Sequence, residues 1–308
     1  MSPILVAVAQ MTSTPSVVHN LSTVVRLIER ASALGAKMIF LPEASDFIAP
    51  ASEVASLSRS LKDPDLKHEF FWGVLDAVRK LKKEILVNVC IHETPGPEEG
   101  YPDHGGRCFN TNLVIGKGGL VSLYRKMNLF DVDLAPNGPT MKESNTTIPG
   151  EELTPPIPNT PVGNLGLQTC FDIRFSKPFH ALLSNKEHPA TAVTYPSAFA
   201  THTGAAHWET LLKARAIEGQ CYIFGSAQVG EHYPGRRSYG HAMIVDPWGT
   251  VVAQCSQKEG PQICVAEVDL EYVAKVRREM PMGWPSLSHS HSPSPSFTSR
   301  LTSGQPRI

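Results

Sequence analysis

Four short stretches set reactive side chains against apolar runs. In Phe40-Leu41-Pro42-Glu43-Ala44-Ser45 a carboxylate follows at once on a strand-like segment, and strand ends facing a cleft are where catalytic groups collect. Tyr124-Arg125-Lys126-Met127 puts a lysine at the end of a hairpin strand. Glu143 lies in Met141-Lys142-Glu143-Ser144, within a Pro/Gly-bearing loop. In Gln168-Thr169-Cys170-Phe171-Asp172-Ile173-Arg174-Phe175 a buried strand runs into a cysteine and a helix-like segment follows. Such an elbow exposes its side chain and aims backbone N–H groups at it, which suits a thiol nucleophile. Read singly, each has an ordinary explanation: a solvated loop glutamate, an edge lysine, an unremarkable loop acid, a packed cysteine. Cys90 and Cys221 lie inside apolar strands and read as core.

Composition narrows the chemistry. The chain has 308 residues, 28 Lys+Arg against 29 Asp+Glu, and a formal net charge of −1. That balance argues against a nucleic-acid or anionic-membrane binder. Hydrophobic residues at 41% and charged residues at 19% describe a globular chain. No apolar run approaches the ~18–20 residues of a membrane helix. No basic or Arg-rich leader precedes the first strand, so the expected compartment is cytoplasmic, with a mitochondrial form from an alternative start left open. Six scattered cysteines form no disulfide framework. Neither Cys-x-x-Cys nor a helical His-x-x-x-His occurs, so no metal site is expected.

The elements that must position these residues alternate in type. Apolar spacing predicts strands over residues 4–10, 37–41 and 86–91, and helices over 16–34 and 66–82. Ser16 is the N-cap and Gly35 the stop of the first helix. Residues 109–115 and 120–124 flank a Gly116-Lys117-Gly118-Gly119 turn, and 239–245 and 250–255 flank Asp246-Pro247-Trp248-Gly249. Further strands are expected at 165–169, 190–195, 222–229 and 263–268, with helices at 207–218 and 270–279. Early helices with central hairpins fit two packed sheets with helices outside. In residues 281–308, 13 of 28 are Ser or Pro and none is acidic, a composition expected to be a disordered tail.

Taken together, these stretches resemble the nitrilase superfamily of carbon–nitrogen hydrolases. Leu41-Pro42-Glu43, Tyr124-Arg125-Lys126 and Cys170-Phe171-Asp172-Ile173-Arg174-Phe175 match its Glu–Lys–Cys triad motifs, and Glu143 matches its supporting second Glu. The resemblance covers about residues 4–280. Asn128-Leu129-Phe130-Asp131, Tyr195-Pro196-Ser197-Ala198-Phe199, Ala206-His207-Trp208-Glu209 and Ser238-Tyr239-Gly240-His241-Ala242-Met243 look like its deaminated glutathione amidase branch, with the omega-amidase branch close by. The resemblance implies an α/β four-layer α-β-β-α sandwich in one domain, residues 1–280. It also implies a homodimer packed through helices that include 207–218.

It implies, too, a thiol amidase that needs no cofactor. Cys170 would attack a small-molecule amide, Glu43 would move the proton, and Lys126 with the Phe171 backbone N–H would hold the oxyanion. Glu143 would keep Lys126 charged. The substrate of that branch is deaminated glutathione, cleaved to 2-oxoglutarate and cysteinylglycine. An omega-amidase acting on 2-oxoglutaramate or 2-oxosuccinamate and a non-catalytic interaction protein of the same fold are the alternatives. For the substrate carboxylate the nearest cation is Arg174, unless it pairs with Asp172. Thr201 and Thr203 offer hydroxyls near the site, unless they only cap the loop. His207 and His241 read as structural. Two stretches depart from the family pattern: Ser176-Lys177-Pro178 replaces Pro-Glu, and Met282-Gly283-Trp284 with the Ser/Pro segment replaces an aromatic and paired arginines.

Overall fold

Strand Ile4–Met11 feeds two different cores with alternate side chains. Val6 and Val8 join one apolar cluster, and Ala7, Ala9 and Met11 join another. Met38–Phe40 divides the same way, with Met38 and Phe40 on one side and Ile39 on the other. Strands covered on both faces read as near-continuous apolar runs, as residues 4–9 and Met38–Phe40 do. The structure, a computed structural model, describes residues 3–61, 68–96, 99–101, 104–136, 138 and 140–285.

Two mixed sheets account for the division. The first runs in the order Arg236–Tyr239, Ala227–Tyr233, Ile4–Met11, Met38–Phe40, Leu86–Glu93, Phe109–Gly116, Gly119–Arg125, with Gln262–Val268 antiparallel to Ile4–Met11. The second runs Val251–Gln254, Met243–Val245, Tyr222–Gly225, Ala192–Thr194, Gly163–Leu167, Ile157–Thr160. Phe40 of the first stacks on Phe224 of the second with ring centroids 4.1 Å apart. Thr194 Oγ1 donates to Asn88 Oδ1 across the same interface at 3.1 Å.

Helices close both outer faces. Val17–Ala33 and Glu69–Lys80 set Val24, Leu27, Ile28, Phe70, Val74 and Val78 against the first sheet. Ser176–Leu183 and Thr201–Gly219 cover the second, where Leu182 lies on Gly166 and Trp208 and Leu212 lie on Gly225. The α-β-β-α sandwich expected from the sequence is therefore the fold. Among the described residues no helix is long and apolar enough to cross a membrane.

Several boundaries differ from the sequence expectation. The helix expected at 207–218 begins at Thr201, because Thr201, His202, Thr203 and Gly204 carry no apolar period and Ala200 makes no side-chain cap bond. The strand expected over 222–229 is two strands that leave one sheet and enter the other at Ser226. Its companion over 239–245 divides likewise between Arg236–Tyr239 and Met243–Val245. Helix Ala51–Leu57 was not expected, since only Val54 is buried. Residues 286–308, most of the segment expected to be disordered, lie outside the described residues. Just before them, the Trp284 indole N–H donates to the Glu218 carbonyl at 2.8 Å.

Candidate active site

Glu43 leaves the Met38–Phe40 strand in a wholly buried segment, residues 41–48. Side chains from Ala227–Tyr233 and its entry hold that segment: Ser226 Oγ donates to the Leu41 carbonyl at 2.8 Å and Gln228 Nε2 to the Glu43 carbonyl at 2.8 Å. The Glu43 carboxylate, 5% exposed, therefore has a fixed base. Its Oε1 accepts from Lys126 Nζ at 3.0 Å and Asn110 Nδ2 at 2.8 Å, and its Oε2 accepts from the Ala198 N–H at 2.8 Å.

Lys126 follows Gly119–Arg125 and is 2% exposed. Its N–H donates to the Asn110 carbonyl and its carbonyl accepts from the Gly150 N–H. A Cβ at Gly150 would lie 2.2 Å from the Arg125 carbonyl oxygen, so only glycine allows this approach. Arg125, one residue earlier, faces away and pairs with Glu93 and Glu99. Lys126 Nζ also donates to Glu143 Oε1 and Oε2 at 2.9 and 2.8 Å. Glu143 opens the short turn Glu143–Asn145, and its Oε2 accepts from the Phe130 N–H at 2.6 Å.

Cys170 stands at the end of the elbow with φ of +48°. Side chains with a Cβ rarely adopt this conformation, which costs roughly 1–2 kcal/mol. The surroundings impose it. The Cys170 N–H donates to the Pro196 carbonyl at 2.9 Å. The following turn, Cys170–Arg174, is closed by a reciprocal cap between Thr169 and Asp172. The buried Asp172 carboxyl also accepts from the Tyr124 hydroxyl at 2.8 Å and from Asn128 Nδ2 at 2.8 Å. Asp172 thus shapes the elbow, while the thiol faces Glu43.

The charges match this geometry. Burial would raise the Glu43 carboxyl, but the Lys126 cation and hydrogen bonds from Cys170, Lys126 and Asn110 hold it below its usual range. Burial would lower Lys126, but Glu143 and Glu43 hold it well above its ordinary value. Burial and the Glu43 carboxylate push the Cys170 thiol up, against Lys126 and the Ala198 N–H. The resting site holds a thiol beside a carboxylate, a nucleophile with its base in contact.

Glu43, Lys126, Glu143, Cys170, Phe171 and Thr203 line a single cavity of about 380 Å³, ample for a small ligand. Arg174 and Thr201 do not line it. Arg174 Nη2 meets His207 Nδ1 at 3.1 Å, its guanidinium lies over the Phe171 and Phe199 rings, and Asp172 has other partners. Thr203 Oγ1 donates to the Ala200 carbonyl at 3.3 Å. His241 stacks on Tyr239 at 4.0 Å.

Sequence reading missed three residues of this wall. Asn110, in the polar half of strand Phe109–Gly116, bridges Glu43 and Glu143, at 2.8 and 3.4 Å. His92, paired with it across the sheet, enters the cavity with Asp46 on its Nδ1 at 3.0 Å. Arg236 also lines the cavity, and its Nη2 donates to the Ala198 carbonyl at 2.9 Å. Alternation in Arg236-Arg237-Ser238 was the available signal, with Ser238 buried and Arg237 exposed.

Similarity to known proteins agrees with the geometry. The carbon-nitrogen hydrolase family profile matches residues 5–278. The chain is 45% identical over 281 residues to the probable hydrolase nit2 of Schizosaccharomyces pombe, covering 90% of this chain and 96% of that one. It is 43% identical to the deaminated glutathione amidase of Bos taurus, covering 90% of this chain and 80% of the other. The crystal structure of the C. elegans NitFhit protein superposes with a TM-score of 0.78 at 39% identity, covering 91% of this chain, which spans 64% of that protein. With the profile covering almost the whole described fold and a buried thiol–carboxylate–ammonium cluster at its centre, the chain belongs to the carbon-nitrogen hydrolase family.

Proposed function

We propose that the protein is a thiol amidase that hydrolyses deaminated glutathione to 2-oxoglutarate and cysteinylglycine. The observation that carries the chemistry is the contact of Cys170 with a Glu43 carboxylate that Lys126 keeps ionised. Similarity to the bovine amidase supports the substrate. Cys170 attacks the amide carbonyl as Glu43 takes its proton. Lys126, with N–H groups shared between Glu43 and Glu143, and the Phe171 backbone N–H receive the oxyanion. Glu43 returns the proton to the departing amine of cysteinylglycine, leaving a thioester. A water activated by Glu43 then releases 2-oxoglutarate. The reaction uses protein groups alone.

The same proposal makes the protein a cytoplasmic homodimer without a nucleic-acid partner. Exposed Ile217 (46%) on helix Thr201–Gly219 and Trp248 (58%) give that face an apolar surface, and the net charge of −1 supports the rest. The test of substrate is direct competition. Deaminated glutathione should exceed 2-oxoglutaramate in kcat/KM by at least about tenfold, because the smaller amide forgoes every contact to the cysteinylglycine half. A reversed preference would make the protein an omega-amidase, and turnover of neither would remove the amidase reading.

A further inference from the structure

The proposed substrate carries a 2-oxo-acid carboxylate, and the site needs a cation that is not already committed. Lys126 is engaged by two carboxylates. Arg174 lies outside the cavity wall, over two aromatic rings. Lys142 is exposed at the rim. Arg236 differs from all three. It lines the cavity, yet among the described residues no carboxylate lies within ion-pair distance of it. Its three hydrogen bonds go to neutral oxygens: the Ala198 carbonyl at 2.9 Å, the Arg237 carbonyl at 2.8 Å and Ser238 Oγ at 3.3 Å. The next residue, Arg237, turns outward and pairs with Glu231 and Glu259.

An unpaired cation drawn out of water is costly, and a fold keeps one where an anion arrives from outside. A planar guanidinium suits a carboxylate in particular. The position is also specific. Ala198, held through its carbonyl by Arg236, gives its N–H to Glu43 Oε2, so a single residue links Arg236 to the carboxylate that moves the proton. Arg236 and Cys170 line the same cavity, so one acyl chain within it can present its carboxylate to Arg236 and its amide carbon to Cys170. We propose that Arg236 is the receptor for the substrate's acyl-side carboxylate and sets the preference for 2-oxo-acid amides over uncharged ones. This inference rests on the amidase reading for the identity of the acid, and on Arg236 itself for the anion site.

Two measurements separate the two. In the first, Arg236→Gln and Arg236→Lys are compared with the unaltered protein on deaminated glutathione and on the same amide with its 2-oxo-acid carboxylate methylated. The ratio of kcat/KM values, acid over ester, should fall about 100-fold in Arg236→Gln, the size expected for losing a desolvated charge pair, and should recover in part in Arg236→Lys. An equal fall on both substrates would show that Arg236 only holds Ala198 and Glu43, and would overturn the proposal. In the second, calorimetry follows 2-oxoglutarate binding to the Cys170→Ala protein with and without Arg236→Gln. Loss of binding in the double variant supports the receptor even if deaminated glutathione is not turned over, and unchanged affinity overturns it. Failure of turnover alone, with Arg236-dependent binding retained, overturns the amidase reading and leaves the anion site standing.

Discussion

Replacing Cys170 with alanine should lower amide turnover by at least about 10⁴-fold, since removing the nucleophile of a unit that acts together removes nearly all the chemistry. The protein should remain folded. The substitution deletes one sulfur from a buried site, and the main-chain constraints on the elbow, the bond to Pro196 and the Thr169–Asp172 cap, are untouched. Cys170→Gly should be equally inactive yet no less stable than Cys170→Ala, because only glycine adopts φ of +48° without a Cβ clash. Steady-state kinetics with thermal melting checks both statements. An alanine variant with substantial turnover would mean that the thiol is a bystander.

Replacing Lys126 with methionine should cost both activity and stability. The ammonium is the cation between Glu43 and Glu143, at 3.0 and 2.8 Å, and all three side chains are largely withdrawn from solvent. Removing it leaves two carboxylates facing each other in low dielectric, a change that typically costs about 3–5 kcal/mol. Turnover should fall by roughly 10²–10³-fold from the lost oxyanion donor alone. The stability loss should depend on pH with a definite sign. In the variant a glutamate at this site has its pKa raised above its unfolded value. Its stabilising contribution is then complete below the unfolded pKa and lost as pH rises. In the unaltered protein the Glu43 carboxyl is held low instead, which contributes stability above its unfolded pKa. The gap between the two proteins should therefore be wide at neutral pH and narrow as pH falls through about 4.5, the ordinary carboxylate value. Urea midpoints across pH 4–8 measure it. A gap that widens toward acid would contradict the assignment of charges.

The parts of this site that the sequence makes legible are those at which a strand visibly stops. Glu43, Lys126 and Cys170 each follow an apolar run, so their types and positions suggested chemistry before their mutual geometry was known. Glu143 was different: its loop has no periodicity, and only family resemblance singled it out. Asn110 and Arg236 were hidden for a physical reason. Each is one of several polar residues in its strand (Asn110, Thr111 and Asn112 in one, Arg236, Arg237 and Ser238 in the other), and which of them matters depends on what the opposite sheet or loop places before it. The crossover at Ser226 was hidden as well. The pair Gly225-Ser226 is the only mark in the sequence where the chain passes from one sheet to the other, too short to divide what reads as one strand, and Ser226 bridges the two sheets by bonding back to Leu41. Arg174 shows the converse. Closeness to Cys170 in sequence suggested a substrate contact, but the intervening turn swings it toward His207, away from the cavity wall.

The decisive observation is covalent. Rapid acid quenching of the protein during turnover of deaminated glutathione, followed by intact and peptide mass spectrometry, should find a mass increase of one 2-oxoglutaryl group on the peptide that carries Cys170. The adduct should be discharged by hydroxylamine, as a thioester is, and absent from Cys170→Ala. Turnover with Cys170 unmodified, or an acyl group on any other residue, would contradict the thioester route and the role given to the Glu43–Lys126–Cys170 cluster.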